Sequence, residues 1–277
     1  MAGAVTRQHS SVRRFRELAR NPAANGLDRE LLLDGAHLVA EAHASALTIE
    51  VAAFDNDALK APDVRSLARQ LSARGTDVLI VSRNLLEAMS PVKTPSGAIA
   101  IARRAMVPLD KVLAGKIALV VLAHDVQDPG NVGALMRAAE AAGATAFVAC
   151  GATADPLGWK ALRGSMGSAL RLPIAKAGTD EALDACARAG MQTLALAPRA
   201  GAPFFAADFH VSTALVLGSE GTGLPSGIAE RADRLISIPM QRPVESLNVA
   251  VAAALVLYEA YRQRHVGRVL SDPPTST

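Results

Sequence analysis

The chain has 277 residues, half of them apolar, a fifth charged and 3% aromatic, with a formal net charge of +3. That length accommodates one large domain or two of ordinary size, and the composition argues against a disordered chain. No apolar run is long enough for a membrane span, the N-terminal stretch lacks a secretory core, and Cys150 and Cys186 show neither CxxC nor Cys/His spacing. A cytoplasmic, metal-free globular protein is the expectation.

Charge is unevenly placed. Residues 1–104 hold 14 Lys and Arg against 11 Asp and Glu, whereas the remainder holds 15 of each. Arg7, Arg13, Arg14, Arg16 and Arg20 crowd the first predicted helix, residues 7–20. Such a face suits a polyanion, because nucleic-acid affinity rests on phosphate neutralisation; a solvated basic face fits equally well. With so few aromatic rings, stacking on single strands is a poor prospect.

After the turn NPAANG, LLLDGAHLVAEAHAS (31–45) and LTIEVAAFD (47–55) predict a strand, a helix and another strand. A helix at 64–75 with Gly75 as its stop, a strand TDVLIVS, a short helix, a two-proline loop and a strand ending near Arg104 complete a small α/β/α unit. Residues 107–115 read as a linker. KIALVVLAH (116–124) then begins a second pattern, a continuous apolar run such as a parallel sheet covered on both faces requires. It leads through DVQDPG into a helix, NVGALMRAAEAAG, ending on Gly143. Further strands are predicted at TAFVACG, LRLPIA, MQTLALA, TALVLGS and RLISIPM, with helices between most of them. Alternation of this kind predicts a mostly parallel doubly wound sheet. The boundaries expected are 1–106, a linker at 107–115, a second domain at 116–267 and a loose tail at 268–277.

Ligands of such sheets sit beyond the C-terminal strand ends. Three of those ends carry unusual residues: QDPGNVGALMR, LGSEGTGLP and IPMQRPVESLN. Each alone has a plain structural reading. Asn131 could cap its helix, GSEGTG could be a turn, and Ser246 could cap the apolar helix that follows. No GxGxxG, P-loop or nucleophile elbow is present.

Together, NVGALMR, LGSEGTGLP and IPMQRPVESLNVAVAAAL resemble, in order and spacing, the three signature motifs of the SpoU/TrmH-type RNA ribose 2′-O-methyltransferases of the SPOUT superfamily. LRGSMGSALRLP (162–173) resembles that family's connecting segment, and LLLDGAHLVAEA and MSPVKTPSGAIAIA resemble its ribosomal-protein-like substrate-binding domain. The resemblance implies an α/β fold with a deep C-terminal trefoil knot, S-adenosylmethionine as cofactor, and a homodimer packed through the knotted domain. It places cofactor contacts at Leu196, Gly218, Ile238 and Leu247. It implies a catalytic group of Arg137, Asn131, Glu220, Ser246 and Asn248, with Glu220 orienting Arg137 or other polar groups of the site. RNA contacts are expected at Arg7, Arg13, Arg14 and Arg242, the last standing where the family usually has Gly. The implied substrate is a ribose 2′-hydroxyl of structured RNA, ribosomal RNA before transfer RNA. A non-catalytic RNA-binding protein is the alternative.

Overall fold

The computed structural model describes residues 8–20, 28–114, 117–198 and 200–265. These form two compact units: the described residues up to Met106 with Asp155–Arg171, and Val107–Ala154 with the described residues from Leu172 onward.

The first unit contains α1 (Ser10–Arg20), β1 (Asp28–Asp34), α2 (Ala36–Ala44), β2 (Thr48–Asp55), α3 (Pro62–Ala73), β3 (Asp77–Val81), α4 (Arg83–Met89) and β4 (Ala98–Ala105). Its sheet runs β1-β4-β2-β3, with β4 antiparallel to both neighbours and β2 parallel to β3. Successive strand residues point to opposite faces, and here both faces are apolar. Leu32, Val51, Ile99 and Ile101 pack with Val12, Phe15 and Leu18 of α1 and with Leu85, Leu86 and Met89 of α4. Leu31, Leu33 and Phe54 are also fully buried, and α2 and α3 pack against β1, β2, β3 and β4. The expected α/β/α arrangement is what forms. Gly75, at φ 87°, follows the last turn of α3 in the left-handed conformation that glycine adopts at low cost.

Asp155–Arg171, which takes in most of the connecting segment, joins this unit. It contains α7 (Trp159–Ser165) and α8 (Ser168–Arg171), and three ion pairs hold it. Arg29, only 6% exposed, grips Asp155 with two parallel bonds of 2.7 and 2.5 Å. Arg163 lies 3.5 Å from the buried Asp34, whose carboxyl is pushed up by burial and held down in part by the Ser90 hydroxyl. Arg171 pairs with Glu41. Gly167, at φ 96°, has that Glu41 side chain where a Cβ would stand.

The second unit carries α5 (Leu109–Val112), β5 (Leu119–His124), α6 (Pro129–Ala141), β6 (Ala146–Cys150), β7 (Ile174–Ala177), α9 (Thr179–Arg188), β8 (Gln192–Leu196), β9 (Ala202–Pro203), β10 (Thr213–Leu217), α10 (Ser226–Ala229), β11 (Arg234–Ser237) and α11 (Val249–His265). The sheet order is β7-β6-β5-β10-β8-β11-β9, and every strand pairing is parallel. β5 is buried along its whole length, as its apolar run predicts. Each of its fully buried Val and Leu side chains contributes about 1.5–3 kcal/mol relative to exposure. Val112 and Leu113, inside the stretch read as a linker, belong to this core, and the Val107 amide donates to the Ile174 carbonyl. LRLPIA is a strand only from Ile174; residues 168–171 are helical because the segment's first part packs elsewhere.

The order at one edge is unusual. β11 lies between β8 and β9, although residues 197–201 join those two strands directly. Any side chain at Gly201, φ 92°, would run into the Leu235 backbone, so the crossing needs glycine.

Candidate active site

Three loops at the C-terminal ends of β10, β8 and β11 meet the start of α11 and enclose a pocket of about 350 Å³. All four expected cofactor residues line it: Leu196, Gly218, Ile238 and Leu247. Leu217, Met240, Val249 and Ala252 add apolar wall, while Ser219, Glu220, Ser246 and Asn248 add polar groups. That mixture, in a concavity of a few hundred Å³, is typical of small-molecule sites. Gly218 cannot carry a side chain, because its Cβ would meet the backbone of Gly223 and Leu224. The loop doubles back on itself there, with Gly221 and Gly223 both at positive φ.

Beside the pocket runs a chain of side-chain hydrogen bonds. Asn131 Nδ2 donates to Glu220 Oε1 at 2.6 Å. Asn248 Nδ2 donates to Asn131 Oδ1 at 2.9 Å. Asn248 Oδ1 in turn accepts from the Ala250 and Val251 amides at the start of α11. The orientation of both carboxamides follows from their partners, since a carboxylate only accepts and a backbone amide only donates. Residues that follow β5, β10 and β11 are thereby joined, through 89 and 117 positions of sequence.

Asn131 is free for this because it does not cap α6. Asp128 does, accepting from the Asn131 amide at 3.0 Å, with Pro129 at the first helical position. Ser246 likewise does not cap α11. Asn248 is the cap, and Ser246 stands two positions earlier, exposed on the pocket wall. Asp128 and the capping role of Asn248 were missed by sequence reasoning. The Asp-Pro pair was a usable signal for the first; nothing distinguishes two good capping residues two positions apart.

Arg137 is exposed on α6 and makes no hydrogen bond or ion pair among the described residues. Six residues separate it from Asn131, about 120° around the helix, and Glu220 bonds to Asn131 instead of orienting Arg137. Arg242 is exposed in the loop between β11 and α11. Of the remaining expected RNA contacts, Arg7 lies outside the described residues and Arg13 is exposed. Arg14 is engaged by Glu30 and Glu50, whose carboxylates raise its pKa. Its charge is paired within the first unit. Among the described residues no cluster of three or more His, Cys, Asp or Glu side chains could hold a metal ion, and no helix is long and apolar enough to cross a membrane.

The profile of the SpoU rRNA Methylase family matches residues 118–258, just over half of the chain and the whole of this pocket. The chain belongs to that family. Among SpoU-family relatives it is 30% identical to 23S rRNA (guanosine(2553)-2′-O)-methyltransferase RlmP of Bacillus subtilis, across 82% of this chain and 86% of that one. It is 34% identical to 23S rRNA (guanosine-2′-O-)-methyltransferase RlmB of Xanthomonas campestris pv. campestris, across 74% and 85%. The crystal structure of an AdoMet-bound rRNA methyltransferase from Sinorhizobium meliloti superposes with a TM-score of 0.81 at 28% identity, across 94% of this chain and 97% of that one.

Proposed function

We propose that the chain is an S-adenosylmethionine-dependent methyltransferase acting on a ribose 2′-hydroxyl of ribosomal RNA, in the cytoplasm. The observation that carries this reading is the pocket itself. Its four expected contacts converge beside the Asn131–Glu220–Asn248 chain. The relatives' activities support the choice of ribosomal RNA.

The lining fits the cofactor. Leu196, Leu217, Ile238 and Leu247 offer apolar walls to an adenine and its ribose, and the doubled glycine loop brings backbone donors and acceptors close without side chains. Bound there, S-adenosylmethionine would supply an electrophilic methyl group. The chain's own residues supply position and charge. Orientation of the reacting groups accounts for much of the barrier reduction in such transfers. Glu220 and Asn248 fix both ends of the Asn131 carboxamide, which then holds its place beside the methyl site without reorganisation. As the ribose hydroxyl gives up its proton, negative charge grows on its oxygen. Arg137, cationic and without a hydrogen-bond or ion-pair partner among the described residues, would stabilise that charge and hold the adjoining phosphate. An arginine is a poor proton acceptor, its pKa being about 12.5–13.8, so its role is electrostatic. Ser246, on the pocket wall, would complete the polar rim.

Two further elements belong to the proposal. Insertion of β11 between β8 and β9 supports the trefoil knot expected of the family. Val251, Leu255 and Tyr258, at i, i+4 and i+7 of α11, are 52, 42 and 51% exposed, which supports a homodimer through this helix. Light scattering at micromolar concentration reports the mass directly.

The central test is mapping of 2′-O-methylated riboses in total RNA from cells with and without the gene, joined to calorimetric titration of the purified protein with S-adenosylmethionine. One lost methyl in ribosomal RNA and a saturable isotherm are expected. A lost methyl in transfer RNA would move the substrate, and absence of any cofactor binding would return the chain to a non-catalytic RNA-binding role.

A further inference from the structure

We infer that α1 is an RNA-backbone grip, made by Arg13, Arg16 and Arg20, which binds phosphates and reads no sequence. The inference rests on the RNA reading above and assigns which residues carry affinity, as distinct from chemistry.

α1 divides its arginines into two kinds. At 3.6 residues per turn, Arg13, Arg16 and Arg20 fall within about 60° of one another, in a stripe roughly 10 Å long. Arg14 lies about 100° to one side. There it meets Glu30 and Glu50, which Arg103 also joins, so that two guanidiniums and two carboxylates neutralise one another. Among the described residues no such partner reaches the stripe. Arg13 and Arg20 are exposed and Arg16 is half-buried, and none makes an ion pair or side-chain hydrogen bond among the described residues. Glu17, the acidic residue of the helix, is exposed beside the stripe and makes no ion pair with it. Three cations left in one line on a rigid element, while a fourth is neutralised, is a surface arranged for an anion that extends along the helix.

The chemistry of the face selects the anion. A basic amphipathic helix also suits a membrane surface, but only when its apolar side is free to enter the lipid. Here that side is occupied: Val12 and Phe15 are 0% exposed and Leu18 is 9% exposed, all within the first unit's core. Phe15 is also the helix's one aromatic ring, so α1 offers a base no exposed aromatic ring to stack on. What remains is charge-assisted hydrogen bonding from guanidinium forks to phosphate oxygens, which positions a nucleic acid without specifying it.

The test is a salt titration with full-length protein and a structured ribosomal RNA transcript, repeated with an unrelated folded RNA of equal length. The triple variant R13Q/R16Q/R20Q is expected to bind both RNAs roughly tenfold to a hundredfold more weakly near 0.1 M salt, with a slope of log K against log salt shallower by about 2. Its thermal midpoint and its affinity for S-adenosylmethionine should not change. R14Q should do the reverse, lowering the midpoint and leaving the slope alone. An unchanged slope in the triple variant, a loss confined to one RNA, or a slope loss from R14Q alone would each overturn the inference. So would a stripe-dependent attachment to phosphatidylserine vesicles by wild-type protein that binds no RNA. Wild-type protein that transfers methyl groups while the triple variant keeps its full salt slope would refute the grip and leave the proposed function standing. Absence of both transfer and RNA binding would remove the reading beneath it.

Discussion

The interior of the first unit and the pocket of the second treat charge in opposite ways. In the first, half-buried charges meet opposite charges: Arg14 and Arg103 with Glu30 and Glu50, Arg29 with Asp155, Arg83 with Asp55, Arg163 with Asp34. In the second, the polar groups at the pocket are tied by carboxamides and backbone, through Asn131, Asn248 and the amides of α11, and only Glu220 among them has an acidic side chain. The exposed cations Arg137 and Arg242 are left over. An ion pair inside a fold is charge already used, and breaking it leaves a buried charge without compensation. A site that must meet a polyanion keeps its cations uncommitted and builds its rigidity from neutral groups. Placement of charge thus separates the residues that hold the molecule from those that meet its substrate.

That contrast can be broken at several points. Arg137→Ala should lower turnover roughly 10²–10³-fold, as loss of one preorganised donor does elsewhere, with calorimetric cofactor affinity unchanged; near-normal turnover would sink its assignment. Arg29→Ala should destabilise the first unit by about 3 kcal/mol, since it strands Asp155, while methyl transfer per folded molecule stays normal; denaturant titration measures the first and a radiolabel assay the second. Asn248 has two jobs that one substitution separates. Asn248→Asp still caps α11 but can no longer donate to Asn131, so activity should fall with little change in stability, whereas Asn248→Ala should also cost about 1 kcal/mol for the lost cap. Ser246→Ala should change stability by under about 0.5 kcal/mol. A larger loss with full activity would restore it as a structural cap. The smallest effect concerns the thiols. Burial pushes Cys150 up to about 12 and Cys186 up to about 11. The thiolate is the reactive form, so neither should be alkylated by iodoacetamide at pH 8 until the protein unfolds.

Much of this was legible in the sequence because it depends on local pattern. The unbroken apolar run at 119–123 predicts a strand covered on both faces, and Gly75 and Gly143 mark helix ends where the chain must turn left-handed. The pocket residues were readable as motifs at strand ends. What escaped depends on pairing across long separations. Nothing in the neighbourhood of Arg14 announces that Glu30 and Glu50 will take its charge. Asp155–Arg171 has no periodicity that assigns it to the first unit; its ion pairs, the longest spanning 130 positions, do that. The two-residue strand β9 is too short to leave any signal. The freedom of Asn131 from capping became visible only with Asp128 in place.

The insertion of β11 has a consequence for how the molecule is made. A ribosome delivers β8, the short crossing at Gly201 and β9 before β11 exists, and Leu247 and Asn248 later still. The first four-stranded sheet can therefore be complete on a nascent chain at a time when the pocket still lacks Leu247 and Asn248. Domains generally fold as units during synthesis, N-terminal first, and pairings between distant segments form slowly. Competence for chemistry thus comes after the first sheet, once the segment through Asn248 has been made. If the grip on RNA belongs to α1, the nascent protein holds its substrate before it can modify it.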